Sequence, residues 1–347
     1  MILDDAMRNQ TSDNNNNNKY TLSTMTDRDK YLATNYSFFC DANVSSIMGA
    51  TNHKTGTYLF QHIIMYNIFN YYKQKCVYKN HKNANNKIRY RIDQNLRCPS
   101  LYNDNGHASQ STINSFLRRS LKSNHNSNDS NSGHIVILNL IRDPVETVLS
   151  GYNYHRDCKE SWTWALPINI TRINHLCGNV IPYIESIDNR FVSYTLSKLY
   201  KSIANLSIGI DIEYYRFIQC EYPRIVTSYE IMKKFEIKYL NQTRMHLKNI
   251  RLEDFQINFN ATLNTIFDVL GIYSDNNENR SILLDAFQES DLYHHNVTKG
   301  KQVEHITKGT YNKTQQINAL LINKERCESL KNYTMTLDYV WKHNDYC

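Results

Sequence analysis

The sequence is poor in the residues and patterns that define several protein classes. Among its 347 residues are 10 glycines and 5 prolines, too few for a collagen-like or elastic protein. No run of 18 apolar residues occurs, so no membrane-spanning helix is predicted. The eight cysteines include no Cys-x-x-Cys pair, which argues against a zinc site, and no metal is predicted. A hydrophobic content of 41% nevertheless indicates a globular protein with a substantial core.

Charge and composition are uneven along the chain. The formal net charge is +7, from 40 Lys and Arg against 33 Asp and Glu. That balance suits an anionic ligand but is too mild to indicate nucleic acid, and no nucleic-acid partner is predicted. Residues 1–40 are Asn-rich and aperiodic, which predicts a disordered tail. Residues 41–347 are predicted to form one domain with a low-complexity loop insertion at 120–133.

Two features bear on the compartment and point in opposite directions. The first 30 residues lack the apolar segment of a secretory leader, and no membrane anchor is visible, as is typical of a cytosolic protein. Against this, the sequence contains 12 Asn-x-Ser/Thr acceptor sites, whereas its composition predicts about 6 by chance. An even number of cysteines is also compatible with disulfides. We therefore predict the Golgi or another secretory lumen, with the cytoplasm as the alternative; the oligomeric state stays open.

Strands and helices alternate in the pattern. Apolar runs at 45–51, 134–141 and, more weakly, 245–255 are predicted strands. Helical patterns follow at 57–72, 144–155 and 260–272, the last ending at Gly271. Residues 315–333 also form one helix-like run. This order predicts an α/β fold with a central parallel sheet flanked by helices.

The loop after the first strand has the composition of an anion-binding loop. The segment GATNHKTGTYLF (49–60) contains Lys54, Thr55, Gly56 and Thr57 at the junction of strand and helix. Backbone N–H groups at such a junction attract anions, and Lys54 adds a positive charge. The glycines of an NTPase phosphate loop are absent, since Met48 and His53 occupy those positions. The alternative is a plain surface loop with an incidental lysine.

A second candidate anion site follows the strand 134–141. Arg142 comes directly after this strand, where open α/β sheets bind ligands, and Ser150 follows eight residues later. A guanidinium and a hydroxyl so placed could hold one phosphate. The alternative is that Arg142 and Asp143 cap the helix while Glu146 balances its dipole.

Together the two loops resemble the sulfotransferase superfamily, whose members use 3′-phosphoadenosine-5′-phosphosulfate as donor. The family pattern K-[ST]-G-[ST] corresponds to residues 54–57, and the pattern R-D-P-x₅-S-x-Y corresponds to residues 142–152. The resemblance implies a P-loop NTPase-like sulfotransferase architecture over roughly residues 45–340. It implies that the donor is bound by Asn52, His53, Lys54, Thr55, Gly56, Thr57, Tyr58, Arg142, Ser150, Thr307, Lys308 and Gly309.

The resemblance also implies functional roles for individual residues. Lys54 would neutralise charge on the leaving group, and no metal would be required. His107 is our candidate general base, with His53 and His81 as alternatives. The closing loop near the C-terminus is assigned to 307–309, with 296–301 as the alternative.

Other residues in the matching region have expected structural roles. Glu253 and Asp254 are expected to be structural, and His155 is expected to pack or cap. A Cys158–Cys177 disulfide would stabilise a flap over the acceptor.

The expected reaction is transfer of a sulfuryl group to a hydroxyl or amine of a glycan or small molecule. Two alternatives stay open, a P-loop-type kinase or nucleotide-binding protein and a non-catalytic carbohydrate-binding relative.

Overall fold

A three-stranded parallel sheet organises the part of the chain that the structure describes. The computed structural model describes residues 44–51, 116, 134–157, 167–168, 180–239, 245–270, 284, 287 and 311–347. The strands β1 (Val44–Thr51), β2 (His134–Ile141) and β3 (Met245–Arg251) pair in the order β1-β2-β3, all parallel. The described residues therefore form an α/β arrangement, as predicted at that level.

The central strand β2 is buried on both faces. Side chains that alternate between its faces, Val136 to Leu138 and Leu140, are fully buried. This is the environment expected for a continuous apolar, β-branched strand in a parallel sheet. Asn139 is also buried, and its side-chain amide donates a 2.8 Å hydrogen bond to the side-chain oxygen of Asn249, its register partner on β3.

Helices account for most of the other described residues. They are α1 Pro144–Asp157, α2 Val180–Ile187, α3 Leu196–Ser202, α4 Leu206–Arg216, α5 Tyr222–Tyr239, α6 Leu252–Ile257, α7 Phe259–Val269, α8 Lys313–Leu321 and α9 Lys324–Thr336. A 3₁₀ turn covers Asn189–Ser193, and a π-helical turn, Phe217–Glu221, joins α4 to α5. Within the described ranges no helix has both the length and the apolar character needed to cross a membrane.

Two predicted boundaries need correction. The third strand was expected to run to residue 255, but it ends at Arg251 and α6 begins at Leu252, because the acidic residues after it favour a first helical turn. The helix-like run 315–333 is two helices rather than one. The side chain of Asn323 caps α9 by accepting a 2.9 Å hydrogen bond from the N–H of Arg326, which starts a new helix.

Helix α1 lies at the centre of a large apolar core. Its residues Val145, Val148, Leu149 and Tyr152 are buried in one cluster, and it packs against α3, α4 and α9. A Cβ at Gly209 of α4 would come within 2.7 Å of the Tyr152 ring, so the glycine is required for this close approach. A smaller cluster joins the sheet to α5.

A disulfide ties the last described segment to this core. Cys327, which is buried in α9, is bonded to Cys347. Cys220 is also disulfide-bonded. The proposed Cys158–Cys177 pair, the tail 1–40, the insertion 120–133, the helix 57–72 and Gly271 lie outside the described residues.

Candidate functional site

The carboxyl ends of the three strands lie side by side at one edge of the sheet. Thr51, the last residue of β1, pairs with Leu140, and Arg251, the last residue of β3, pairs with Ile141. Arg142, the next residue along the chain from β2, therefore leaves the sheet between the exits of β1 and β3. Ligands of open parallel sheets bind at this edge, outside the ends of the strands.

Arg142 is largely buried and faces two carboxylates. Its side chain is 12% exposed, with Nε 3.9 Å from Glu253 Oε1 and Nη2 3.9 Å from Glu146 Oε2. These separations allow electrostatic attraction but exceed hydrogen-bond distance. The other carboxylate oxygen of Glu146, Oε1, forms an ion pair with Lys313 Nζ of α8 at 2.7 Å. Arg142 is thus oriented by charge rather than locked by direct hydrogen bonds to these two groups.

Asp143 caps α1. A helix cap was the alternative to a phosphate site that the sequence analysis left open. Its Oδ1 accepts a 3.1 Å hydrogen bond from the N–H of Glu146, and its carbonyl oxygen accepts hydrogen bonds from Thr147. Its own N–H donates to Glu253 Oε1 at 3.2 Å. Burial raises the pKa of the Asp143 carboxyl, and the neighbouring Glu146 charge adds to the rise against the opposing effect of the backbone hydrogen bonds.

Glu253 links the start of α1 to the segment after α9. Its Oε1 accepts from the Asp143 N–H and lies near Arg142, while its Oε2 accepts a 2.8 Å hydrogen bond from the Tyr339 hydroxyl. Burial raises the pKa of Glu253, although Arg142 and Tyr339 act in the opposite direction. Asp254, the next residue, is exposed. In the sequence, Glu253 was marked only as half of an acidic pair with Asp254, near the end of the predicted strand 245–255.

The segment after α9 completes this edge and was not predicted from sequence. The Arg251 guanidinium lies 4.7 Å from the centre of the Tyr339 ring, in cation–π contact, and donates to the carbonyl oxygen of Asp338. The Asp338 carboxylate accepts hydrogen bonds from Tyr229 and Lys233 of α5, and its φ of 58° turns the chain sharply. These contacts fix Tyr339 over Glu253.

Ser150 lies on the face of α1 that α8 borders. Glu146, Ser150 and Asn153 share this face by their spacing of four and three residues. Lys313 contacts Glu146, and the Gln316 and Asn153 side-chain amides exchange hydrogen bonds of 2.6 and 3.3 Å. Ser150 is half-buried and about 9 Å along the helix from Pro144. Ser150 therefore lies on the same face of α1 as Glu146, the residue that Arg142 faces.

The other end of α1 meets a closed cluster of buried charge. His155 Nδ1 lies 2.8 Å from Glu213 Oε2, to which the Tyr200 hydroxyl also donates at 2.7 Å. Arg216 donates to Glu213 Oε1 at 2.7 and 3.0 Å and to Glu221 at 2.9 Å. Burial alone would raise the pKa of Glu213, but Arg216 and His155 outweigh it and hold that pKa well below its usual value. His155 is buried and packed, which confirms its expected role.

The remaining predicted site residues lie outside the part of the chain that the structure describes. They are ten of the twelve donor-binding candidates, namely Asn52, His53, Lys54, Thr55, Gly56, Thr57, Tyr58, Thr307, Lys308 and Gly309. The proposed base, His107, is among them as well. His81 lies outside the described residues too. Across the ranges that the structure does describe, no group of three or more His, Cys, Asp or Glu side chains is arranged to hold a metal.

Comparisons with protein-family models, with curated proteins and with solved structures found no match to this chain.

Proposed function

We propose that the protein is a sulfotransferase with a P-loop NTPase-like core that uses 3′-phosphoadenosine-5′-phosphosulfate as donor. The observation that carries the proposal is the position of Arg142, directly after the central strand of a parallel sheet and at the start of α1. Arg is suited to phosphate because its planar guanidinium can donate two parallel hydrogen bonds. The 3′-phosphate of the donor would bind there, with Ser150 further along the same helix.

The strand register supports a neighbouring site for the 5′-phosphosulfate. Thr51, which ends β1, pairs with Leu140, two residues before Arg142. Lys54 follows Thr51 by three positions, a length of chain that spans at most about 11 Å. The end of β1 that leads to Lys54 therefore lies beside the exit of β2, as two groups that bind one nucleotide require.

The position of α8 supports the assignment of the closing loop to 307–309. Gly309 is four residues before Lys313, which is ion-paired with Glu146 of α1. Tyr311, two residues after Gly309, lies under the Arg156 guanidinium at 4.9 Å. Thr307, Lys308 and Gly309 therefore precede a segment held against the helix that carries Ser150.

The proposed chemistry is an in-line transfer of SO₃ from the donor to an acceptor oxygen or nitrogen. The bond between sulfur and the bridging oxygen breaks as the bond from sulfur to the acceptor forms, and Lys54 offsets the charge that develops on the bridging oxygen. His107 takes the acceptor proton. The acceptor is a hydroxyl or amine of a glycan or small molecule, and the mechanism requires no metal.

We further propose that the protein works in the Golgi or another secretory lumen. The Cys327–Cys347 disulfide supports this, since disulfides persist in oxidising compartments. Two acceptor-site asparagines, Asn205 and Asn312, are exposed at helix N-termini, where the side-chain oxygen of each accepts the capping hydrogen bond and the side-chain nitrogen is the atom that a glycan would modify. Release of a mass corresponding to glycans by an endoglycosidase, from protein made in a secretory host, tests this.

The function is tested first by ligand-dependent thermal stability. Adenosine 3′,5′-bisphosphate should raise the unfolding temperature, whereas ATP with Mg²⁺ should have a smaller effect. Transfer of ³⁵S from labelled donor to a panel of glycans and small molecules then tests catalysis, with Lys54→Ala expected to abolish transfer. Stabilisation by ATP with Mg²⁺ alone would favour a kinase-like nucleotide-binding protein, and donor binding without any transfer would favour a non-catalytic relative.

A further inference from the structure

We propose that Glu253 is a proton-linked counterion of Arg142, which takes up a proton from solvent when the 3′-phosphate of the donor binds. The inference rests on the proposed function, because it assigns a regulatory property to the same site. It follows from the way in which Glu253 is held against Arg142 rather than from the resemblance of the two loops.

Glu253 is fixed from both sides and cannot turn away readily. Its Oε1 accepts the Asp143 N–H at 3.2 Å, and its Oε2 accepts the Tyr339 hydroxyl at 2.8 Å. Tyr339 is itself buried and held under Arg251. A ligand that approaches Arg142 therefore meets a carboxylate that stays 3.9 Å from Arg142 Nε.

The charges around this position are unfavourable for a phosphate dianion. Arg142 is balanced by Glu253 and Glu146 in the ligand-free protein. A bound dianion would add two negative charges beside a buried carboxylate, where the effective dielectric is low. Protonation of that carboxyl removes one of the repelling charges. Among the described residues, the charged and titratable groups that face Glu253 and its partners are Arg142, Asp143, Glu146, Arg251, Lys313, Tyr339, Lys342 and His343.

Among the nearby carboxyl groups, Glu253 is the best placed to accept the proton. Asp143 uses its carboxylate to cap α1, and protonation would weaken that cap. Glu146 is paired with Lys313 at 2.7 Å and is 27% exposed, so its charge is both compensated and solvated. Glu253 is 15% exposed, lies at 3.9 Å from its cation, and its pKa is already raised by burial.

The proton balance of the step is simple. One proton leaves bulk solvent and forms an O–H bond on the Glu253 carboxyl, which becomes neutral. The Tyr339 hydroxyl can rotate and then accept a hydrogen bond instead of donating one. Arg142 is released from Glu253 and donates to the phosphate oxygens. No electron transfer or covalent bond to the ligand is involved.

Isothermal titration calorimetry tests this coupling directly. Binding of adenosine 3′,5′-bisphosphate is measured at pH 7 in two buffers with different ionisation enthalpies, which reports the protons taken up. Wild type and the matched control Asp254→Asn should take up a fraction of a proton more than Glu253→Gln. The difference should disappear with adenosine 5′-phosphate, which lacks the 3′-phosphate. Between pH 6 and 8 the affinity of wild type should fall more steeply than that of Glu253→Gln.

The possible results separate the coupling from the proposed function. Equal proton uptake by wild type and Glu253→Gln, with normal binding, overturns the coupling alone. Failure of wild type to bind adenosine 3′,5′-bisphosphate overturns the proposed function, and the coupling with it. If Glu253→Gln does not fold, Tyr339→Phe serves as the second variant. It removes a hydrogen bond that favours the ionised carboxylate, so the pH of maximal proton uptake should rise, and an unchanged pH profile contradicts the coupling.

Discussion

Helix α1 connects two clusters in which arginine meets buried carboxylates, one at each of its ends. At the C-terminal end, Arg216 and His155 contact Glu213 at 2.7–3.0 Å, and both side chains of the Arg216–Glu213 pair are at most 2% exposed. At the N-terminal end, Arg142 lies 3.9 Å from Glu253, and these side chains are 12% and 15% exposed. The first cluster is closed and the second is open.

The difference shows how direct contacts decide the effect of burial on a carboxyl group. Both glutamates lose solvent, which by itself raises a carboxyl pKa. At Glu213 the hydrogen-bonded cations outweigh this loss and the pKa falls, whereas at Glu253 the distant cation does not and the pKa rises. A closed cluster of this kind stabilises a helix junction, whereas in the open one the cation and the Glu253 carboxylate stay 3.9 Å apart.

The largest effect is expected from breaking the closed cluster. Glu213→Gln removes the charge that compensates Arg216 and the partner of the His155 ring, and should lower the free energy of unfolding by about 3–5 kcal/mol. Denaturant titration at pH 7 measures this, with the exposed Glu236→Gln of α5 as a control. The loss should shrink in acid, because a group with a lowered pKa stabilises above its unfolded pKa and loses that contribution as pH falls towards its folded pKa. A loss below about 1 kcal/mol at pH 7 would contradict the closed cluster.

Removing the cation of the open cluster should affect binding more than stability. Arg142→Ala should weaken adenosine 3′,5′-bisphosphate about 10–100-fold, the value of a lost charge-assisted hydrogen bond. Calorimetric titration measures the affinity. The matched control is Arg190→Ala, because the Arg190 side chain is 76% exposed. An unchanged affinity in Arg142→Ala would show that the 3′-phosphate does not bind at this position.

Gly151 tests how tightly the closed cluster is packed. A Cβ at this position would overlap Glu213 Oε1, so Gly151→Ala should destabilise the protein by about 1–3 kcal/mol despite the better helix propensity of alanine. Denaturant unfolding measures the change. In a Glu213→Ala background the same substitution should cost less, because the overlapping atoms are gone. An equal cost in both backgrounds would mean that the carboxylate is not what excludes a side chain.

The smallest effect is expected for the free energy of unfolding when Glu253 of the open cluster is replaced. A carboxyl whose folded pKa is raised holds its proton longer in the folded state, so it makes stability fall as pH rises above the unfolded value of 4.5. Glu253→Gln should therefore unfold within about 1 kcal/mol of wild type at pH 7, and should show a weaker decline between pH 4 and 7. Unfolding across this pH range measures it, and a large loss at pH 7 would show that Glu253 is structural, like Glu213.

The sequence predicted the elements whose signal is local. The strands at 45–51 and 134–141 are continuous apolar runs, and the helix after Pro144 begins with a capping aspartate, so each was recognisable from its own residues. The end of β3 was misplaced because residues 252–255 suit a helix as well as a strand. The break at Asn323 was missed because the apolar pattern continues across it.

The position of Arg142 was predicted from the sequence, but the groups that surround it were not. Arg142 was identified because it follows a buried strand, and the structure places it at the carboxyl edge of the sheet. Glu253 and Tyr339 were not assigned to the site, because they are 111 and 197 residues away in the sequence. No local periodicity reports that proximity, which arises only when β3 and the segment after α9 pack beside β2.

The sequence by itself determined a parallel α/β core, an arginine at the end of its central strand and a helix that starts beside it. These follow from residues adjacent in the chain, where apolar runs and caps act locally. Only the tertiary structure decided which carboxylates meet which arginines. Glu213 and Glu253 are the same residue type, but Glu213 lies at hydrogen-bond distance from Arg216 and His155, whereas Glu253 lies 3.9 Å from Arg142. That spacing, set by how α4, α6 and α1 pack, separates a structural charge from one proposed to respond to a ligand.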